Sequence, residues 1–135
     1  MIPVFKPKLT LVDKFSVLNA LLKNNISGTS PVVSDFEKQY SLKFNRKFGV
    51  AVSNGSVALD VAFKLLNLDK DDEVIVPSFT IISCLAAIIR SGGKPVFCDV
   101  NEESWNMSLE DVKSSFSEKT KAVFVSFANL IISLS

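Results

Sequence analysis

Ser53-Asn54-Gly55-Ser56 lies between a short hydrophobic run and a segment with helical periodicity. Residues of these types at a strand-to-helix junction make a seat for a phosphate or another anion. Glycine permits a tight turn and close backbone approach, and serine adds a hydroxyl at the helix start. The first N–H groups of the helix have no intrahelical acceptor and point outward. The tetrapeptide is neither the glycine fingerprint of dinucleotide sites nor the phosphate loop with its lysine. An ordinary strand-to-helix turn would carry the same residues, so both readings stand on this motif alone.

A second group, Pro77-Ser78-Phe79-Thr80, ends the next hydrophobic run. In parallel sheets, ligands gather beyond the carboxyl ends of the strands. Phe79 there has two readings: a face for a planar ring, or one of eleven phenylalanines that build the core. Thr80 reads as a helix cap. Asp99 ends a later run and either orients a polar ligand group or closes its own turn. Trp105-Asn106 either meets substrate or packs under a loop. Other chemistry is scarce. Histidine is absent, and no metal constellation can be assembled. Asp69, Asp71, Asp72 and Glu73 read as a solvated turn. Cys84 and Cys98 sit in apolar segments and read as buried thiols, not as a disulfide.

The chain that must position these residues has 135 of them, the size of one ordinary domain. Its 47% hydrophobic content, spread over separated runs, excludes a disordered segment. Fifteen basic residues against 14 acidic ones leave a formal charge of +1, which makes no broad field for nucleic acid or anionic membrane. Lys6, Lys8, Arg46 and Lys47 do not assemble a nucleic-acid track. The apolar run Ile81–Ile89 stops at Arg90, well short of a membrane span, and the N-terminus lacks a secretory pattern. A soluble, cytoplasmic protein with no nucleic-acid or membrane partner is expected.

Periodicity predicts a helix over Val12–Lys23, started by Thr10 and Asp13 as a capping box. Ser34 and Glu37 repeat that pattern before a second helix running to about Phe44. Between them, Asn24 to Pro31 has turn composition, either a plain connection or a loop that reaches a partner subunit. Beyond, the rhythm changes. Strands are expected at Phe48–Ser53, Val74–Val76 (stopped by Pro77), Pro95–Val100 and Ala122–Ser126. Helices are expected at Ser56–Leu66, Thr80–Arg90 and from the Ser108/Asp111 cap to about Phe116. Strands apolar at consecutive positions, alternating with amphipathic helices, imply an α/β fold with a mostly parallel sheet flanked by helices.

Taken in order, several segments resemble the N-terminal part of the DegT/DnrJ/EryC1/StrS family of pyridoxal-phosphate-dependent nucleotide-sugar aminotransferases, in its perosamine-synthetase-like form. They are Met1–Val4, Val50–Leu59, Asp71–Thr80, Pro95–Val100 and Lys119–Val123. The ordered set is far more specific than any one of its members, and it covers nearly the whole chain through Val125.

The resemblance implies an incomplete large domain of the aspartate-aminotransferase-like (type I) pyridoxal-phosphate fold. It divides the chain into an N-terminal helical segment with an active-site-approaching loop (1–47), a partial cofactor-binding α/β domain (48–125) and a divergent tail (126–135). It implies conversion of a nucleotide-linked keto sugar to an amino sugar, with glutamate as amino donor, by a homodimer that shares active sites. Such a reaction serves polysaccharide biosynthesis, O-antigen included. Asn54, Gly55 and Ser56 match the phosphate cradle, and Ser27-Gly28-Thr29 matches the loop that approaches the active site. The ring-stacking aromatic of the family corresponds to Ile81, two positions after Phe79. Isoleucine there packs on a cofactor without offering an aromatic face.

Resemblance stops abruptly after Val125, as expected of a frameshift, a premature stop or a fragment boundary. The acid that holds the pyridine nitrogen and the lysine that bonds the cofactor would lie downstream, and no present lysine occupies the catalytic motif. Weak or no binding of pyridoxal 5'-phosphate and no catalysis by the isolated chain are therefore expected. The alternative is an inactive remnant or a small α/β binding module, with Leu130-Ile131-Ile132 demanding burial or a partner.

Overall fold

A computed structural model describes residues 7–126, and these fall into two compact units that divide between Ala51 and Val52. Met1–Val4 and the apolar run Leu130-Ile131-Ile132 lie outside the described residues.

The first unit is helical. Helix α1 spans Leu11–Leu22 behind the expected capping box. The Thr10 N–H donates to the Asp13 carboxylate at 2.7 Å, and the Asp13 N–H donates to the Thr10 hydroxyl at 3.3 Å. Helix α2 spans Pro31–Lys43 and begins earlier than its sequence pattern suggests. Pro31, with its fixed φ and missing N–H, is pre-set for the first turn, so Ser30 becomes the N-cap and Ser34 falls inside the helix. Glu37 is thereby released from capping, and its carboxylate accepts the Ala51 N–H at 2.8 Å. The strand expected at Phe48–Ser53 does not form. A strand needs neighbours for its backbone groups. Here Phe48 and Val50 stay exposed, and the Ala51 N–H is taken by a side chain instead.

The second unit is built on a parallel sheet of three strands, β1 (Glu73–Pro77), β2 (Lys94–Cys98) and β3 (Thr120–Val123), in the order β2-β1-β3. Ile75 aligns with Val96 on one side and Val123 on the other. Helices α3 (Gly55–Lys64), α4 (Ile82–Arg90) and α5 (Leu109–Ser114) flank it. The central position of β1 explains its unbroken apolar run: Val74, Ile75 and Val76 are all wholly buried. Val74 and Val76 join Phe63, Leu68, Cys84, Ala87 and Ile88 in one core cluster, which packs α3 and α4 against the sheet. Both cysteines are buried free thiols.

Helix α4 is capped at Ser91 and followed by Gly92, where φ is +94° and an added Cβ would come within 2.9 Å of the Leu68 carbonyl oxygen. That close approach and the left-handed turn both require glycine. At its start, Thr80 is not the cap. The N-cap is Ile81, and the Thr80 hydroxyl reaches the Cys84 sulfur at 3.4 Å instead. Among the described residues, no helix is long and apolar enough to cross a membrane, and no three potential ligands cluster to hold a metal.

Candidate cofactor-binding site

The start of α3 is the best-formed feature for holding a ligand. Asn54 is extended at the N-cap, and its side-chain oxygen accepts the Val57 N–H at 3.0 Å. That bond satisfies the third residue of the helix and leaves the N–H groups of Gly55 and Ser56, the first two, facing outward. Gly55 is exposed, and a Cβ added there would meet nothing within 4 Å. The half-buried Ser56 hydroxyl lies 2.9 Å from the Ser83 hydroxyl, in the first turn of α4. Two helix starts, each a positive dipole end, thus stand side by side. Ile81, two residues before Ser83, is 69% exposed at the α4 start.

A second cluster lies beyond the carboxyl ends of β1 and β2. The Ser78 hydroxyl donates to the Asp99 carboxylate at 3.0 Å, and the same carboxylate oxygen accepts the Val100 N–H at 2.8 Å. Of its two readings, Asp99 therefore takes the second and closes its own turn. Phe79 is not a core residue: it is 52% exposed and stands edge-on to Trp105, with ring centroids 4.8 Å apart. Trp105 adopts a left-handed backbone (φ +58°), held by its N–H donating to the Asn101 carbonyl at 2.8 Å. The Asn101 side chain in turn accepts the N–H groups of Glu103 and Ser104.

The lysines nearest the sheet lie at its other end. Lys94 opens β2 beside Glu73, Lys121 follows the first residue of β3 beside Asp72, and Lys119 precedes β3. Burial raises the Cys98 thiol pKa above its ordinary value. Ser115, through a hydrogen bond, lowers it in part, while the nearby carboxylates of Asp111 and Asp99 add to the rise. An open apolar cavity of about 290 Å³ sits between α5 and the end of β3, lined by Met107, Leu109, Val112, Val123 and Val125 among others. It contains no ionisable side chain and lies apart from the α3 start.

Residues 11–127 match the DegT/DnrJ/EryC1/StrS aminotransferase family. The chain belongs to that family. GDP-perosamine synthase of Escherichia coli O157:H7 is 37% identical over 122 residues, which is 90% of this chain and 34% of that enzyme. The Vibrio cholerae GDP-perosamine synthase is 36% identical, with 91% and 34% covered. Among solved structures, the aminotransferase from Psychrobacter cryohalolentis superposes with a TM-score of 0.78 at 31% identity, over 87% of this chain and 30% of that one. The PLP form of Spr1654 from Streptococcus pneumoniae superposes with a TM-score of 0.75 at 27% identity, over 90% and 31%. This family member therefore has the α/β fold with a parallel sheet read from its sequence, and it spans about a third of the length of the relatives it matches.

Ser83 is the member of this constellation that sequence reasoning missed. Its only signal was a hydroxyl placed two residues after the position of the family's ring-stacking side chain.

Proposed function

We propose that this chain is the cofactor-seating N-terminal portion of a pyridoxal-phosphate-dependent aminotransferase acting on a nucleotide-linked keto sugar. Glutamate is the amino donor, the complete enzyme is a cytoplasmic homodimer, and its product enters polysaccharide assembly such as O-antigen. Support comes from the family match, from GDP-perosamine synthases among the relatives, and from a coverage of only a third of each. In this division residues 1–47 are a helical segment, 48–125 the partial cofactor domain and 126–135 a divergent tail.

The observation that carries the reading is the open start of α3, whose chemistry fits the phosphate end of the cofactor. The Gly55 and Ser56 N–H groups hold the phosphate, with the helix dipole behind them. Asn54 keeps the turn extended and caps Val57, so that those two amides stay available. The exposed side chains of Phe79 and Ile81 flank the ring and keep water from it. When bound, pyridoxal phosphate supplies the electron sink for amino transfer. The covalent amine and proton shuttle that the reaction also needs belong to the part of the relatives this chain does not span. Lys94, Lys119 and Lys121, at the amino ends of the strands, are on the wrong side of the sheet to replace them. Binding by this chain is accordingly weak.

The test is an NMR titration of the ¹⁵N-labelled chain with pyridoxamine 5'-phosphate, whose lack of an aldehyde prevents reaction with surface lysines. The amide signals of Gly55 and Ser56 are expected to move saturably, with weak affinity, and more than with pyridoxamine. Absence of any shift at these two amides overturns the reading.

A further inference from the structure

We propose that Ser83 is a positioning residue of the phosphate seat, aiming the Ser56 hydroxyl at the bound anion; the proposal rests on the reading that this seat takes a phosphate. The Ser56 and Ser83 hydroxyls are 2.9 Å apart although the residues are 27 positions apart in sequence, and both are half-buried. Further along the same two helices, the guanidinium of Arg90, the last residue of α4, binds the carboxylate of Asp60, midway along α3, at 2.6 Å. Helices α3 and α4 are thus tied by two polar bonds, and the serine pair fixes how their starts align.

The hydroxyl of Ser83 is not used to cap its own helix. The N-cap of α4 is Ile81, which makes no side-chain cap bond, and Ser83 lies one residue inside the helix. Its free valence is directed at Ser56. A hydroxyl donates one hydrogen bond and accepts two, so the direction of the pair can reverse. Without ligand, Ser56 donates to Ser83. With an anion before the Gly55 and Ser56 amides, the Ser56 proton turns to the phosphate oxygen, and Ser83 donates to the Ser56 oxygen in its place. Each hydroxyl then polarises the next, which strengthens the bond that ends on the charge. Without Ser83, the Ser56 side chain loses the partner that selects its rotamer, and its oxygen loses a donor.

The experiment compares affinities for pyridoxamine 5'-phosphate and pyridoxamine in the wild-type chain and in Ser83→Ala, Ser83→Cys, Ser83→Thr, Ser56→Ala and the Ser56→Ala/Ser83→Ala pair. Ser83→Ala and the near-isosteric Ser83→Cys are expected to weaken the phosphorylated ligand about fivefold, the worth of one net hydrogen bond, and to leave pyridoxamine unaffected. Ser83→Thr, which keeps the hydroxyl, restores most of the affinity. The double variant binds no more weakly than Ser56→Ala alone, because Ser83 acts through Ser56. Equal losses for both ligands, or unchanged phosphate affinity in Ser83→Ala and Ser83→Cys, overturn the positioning role while leaving the seat itself in place. A wild-type chain with no preference for the phosphorylated ligand overturns the proposed function, and the role of Ser83 with it.

Discussion

At the scale of single residues, the α3 start separates what stability needs from what an anion needs. The Asn54 side chain caps the helix through the Val57 N–H, and Asp would cap equally well. Asn54→Asp is therefore expected to keep or slightly raise the melting temperature, since a negative charge suits a helix start. The same charge repels a phosphate, so affinity for pyridoxamine 5'-phosphate should fall severalfold in the NMR titration. Equal binding by both chains would place the phosphate elsewhere. Gly55→Ala makes a second separation. No neighbour obstructs the new methyl group, so thermal stability should stay within about 1 kcal/mol of wild type. Closer backbone approach is lost, and phosphate binding should weaken. The glycine was read as a turn residue, but it is the first residue of α3, without a positive φ or a close neighbour, and the capping bond of Asn54 went unread. Phe79 was not legible, since eleven phenylalanines favour a core assignment and only the folded chain leaves it half-exposed beside Trp105. Ser83 was hidden because its partner is brought near only by packing α4 on α3.

At the scale of elements, the sequence was clearest where a segment is buried on both faces. Strand β1 announces itself because its position between β2 and β3 requires apolar side chains at every step. Phe48–Ser53 has the same character but no paired neighbours, and a strand pattern without partners makes no strand. Pro31 outweighed the Ser34 capping pattern because a fixed φ sets the helix start more firmly than a replaceable side-chain bond. Ile88 is fully buried in the cluster beneath α4, and Ile88→Ala should cost about 2–5 kcal/mol, measurable as an earlier or lost urea transition. Cys98, at the end of β2, predicts a pH dependence. Its folded-state pKa lies above the ordinary 9.0, so the folded chain holds the proton more tightly. That contribution is complete below the unfolded pKa and is lost as pH rises through the folded value. The urea midpoint should therefore decline above about pH 9, less so in Cys98→Ala.

At the scale of the whole molecule, the central claim is a division of labour. We propose that this chain seats the phosphate of the cofactor and that the covalent amine belongs to the portion of the relatives it does not span. The ordered family segments made the family legible, whereas no single motif would have done so. Large apolar side chains remain exposed on several elements, among them Leu11, Phe15, Leu22, Val61, Ile82 and Leu109. Concentration-dependent association of the isolated chain is expected in sedimentation velocity, and a single monomeric species across the micromolar range would contradict that expectation. The most direct test of the division of labour is to incubate the chain with pyridoxal 5'-phosphate, reduce with borohydride and map the modified lysines by peptide mass. The account predicts sparse labelling scattered over surface lysines, with none modified stoichiometrically. Stoichiometric labelling of one lysine would contradict it and would give this chain the catalytic amine.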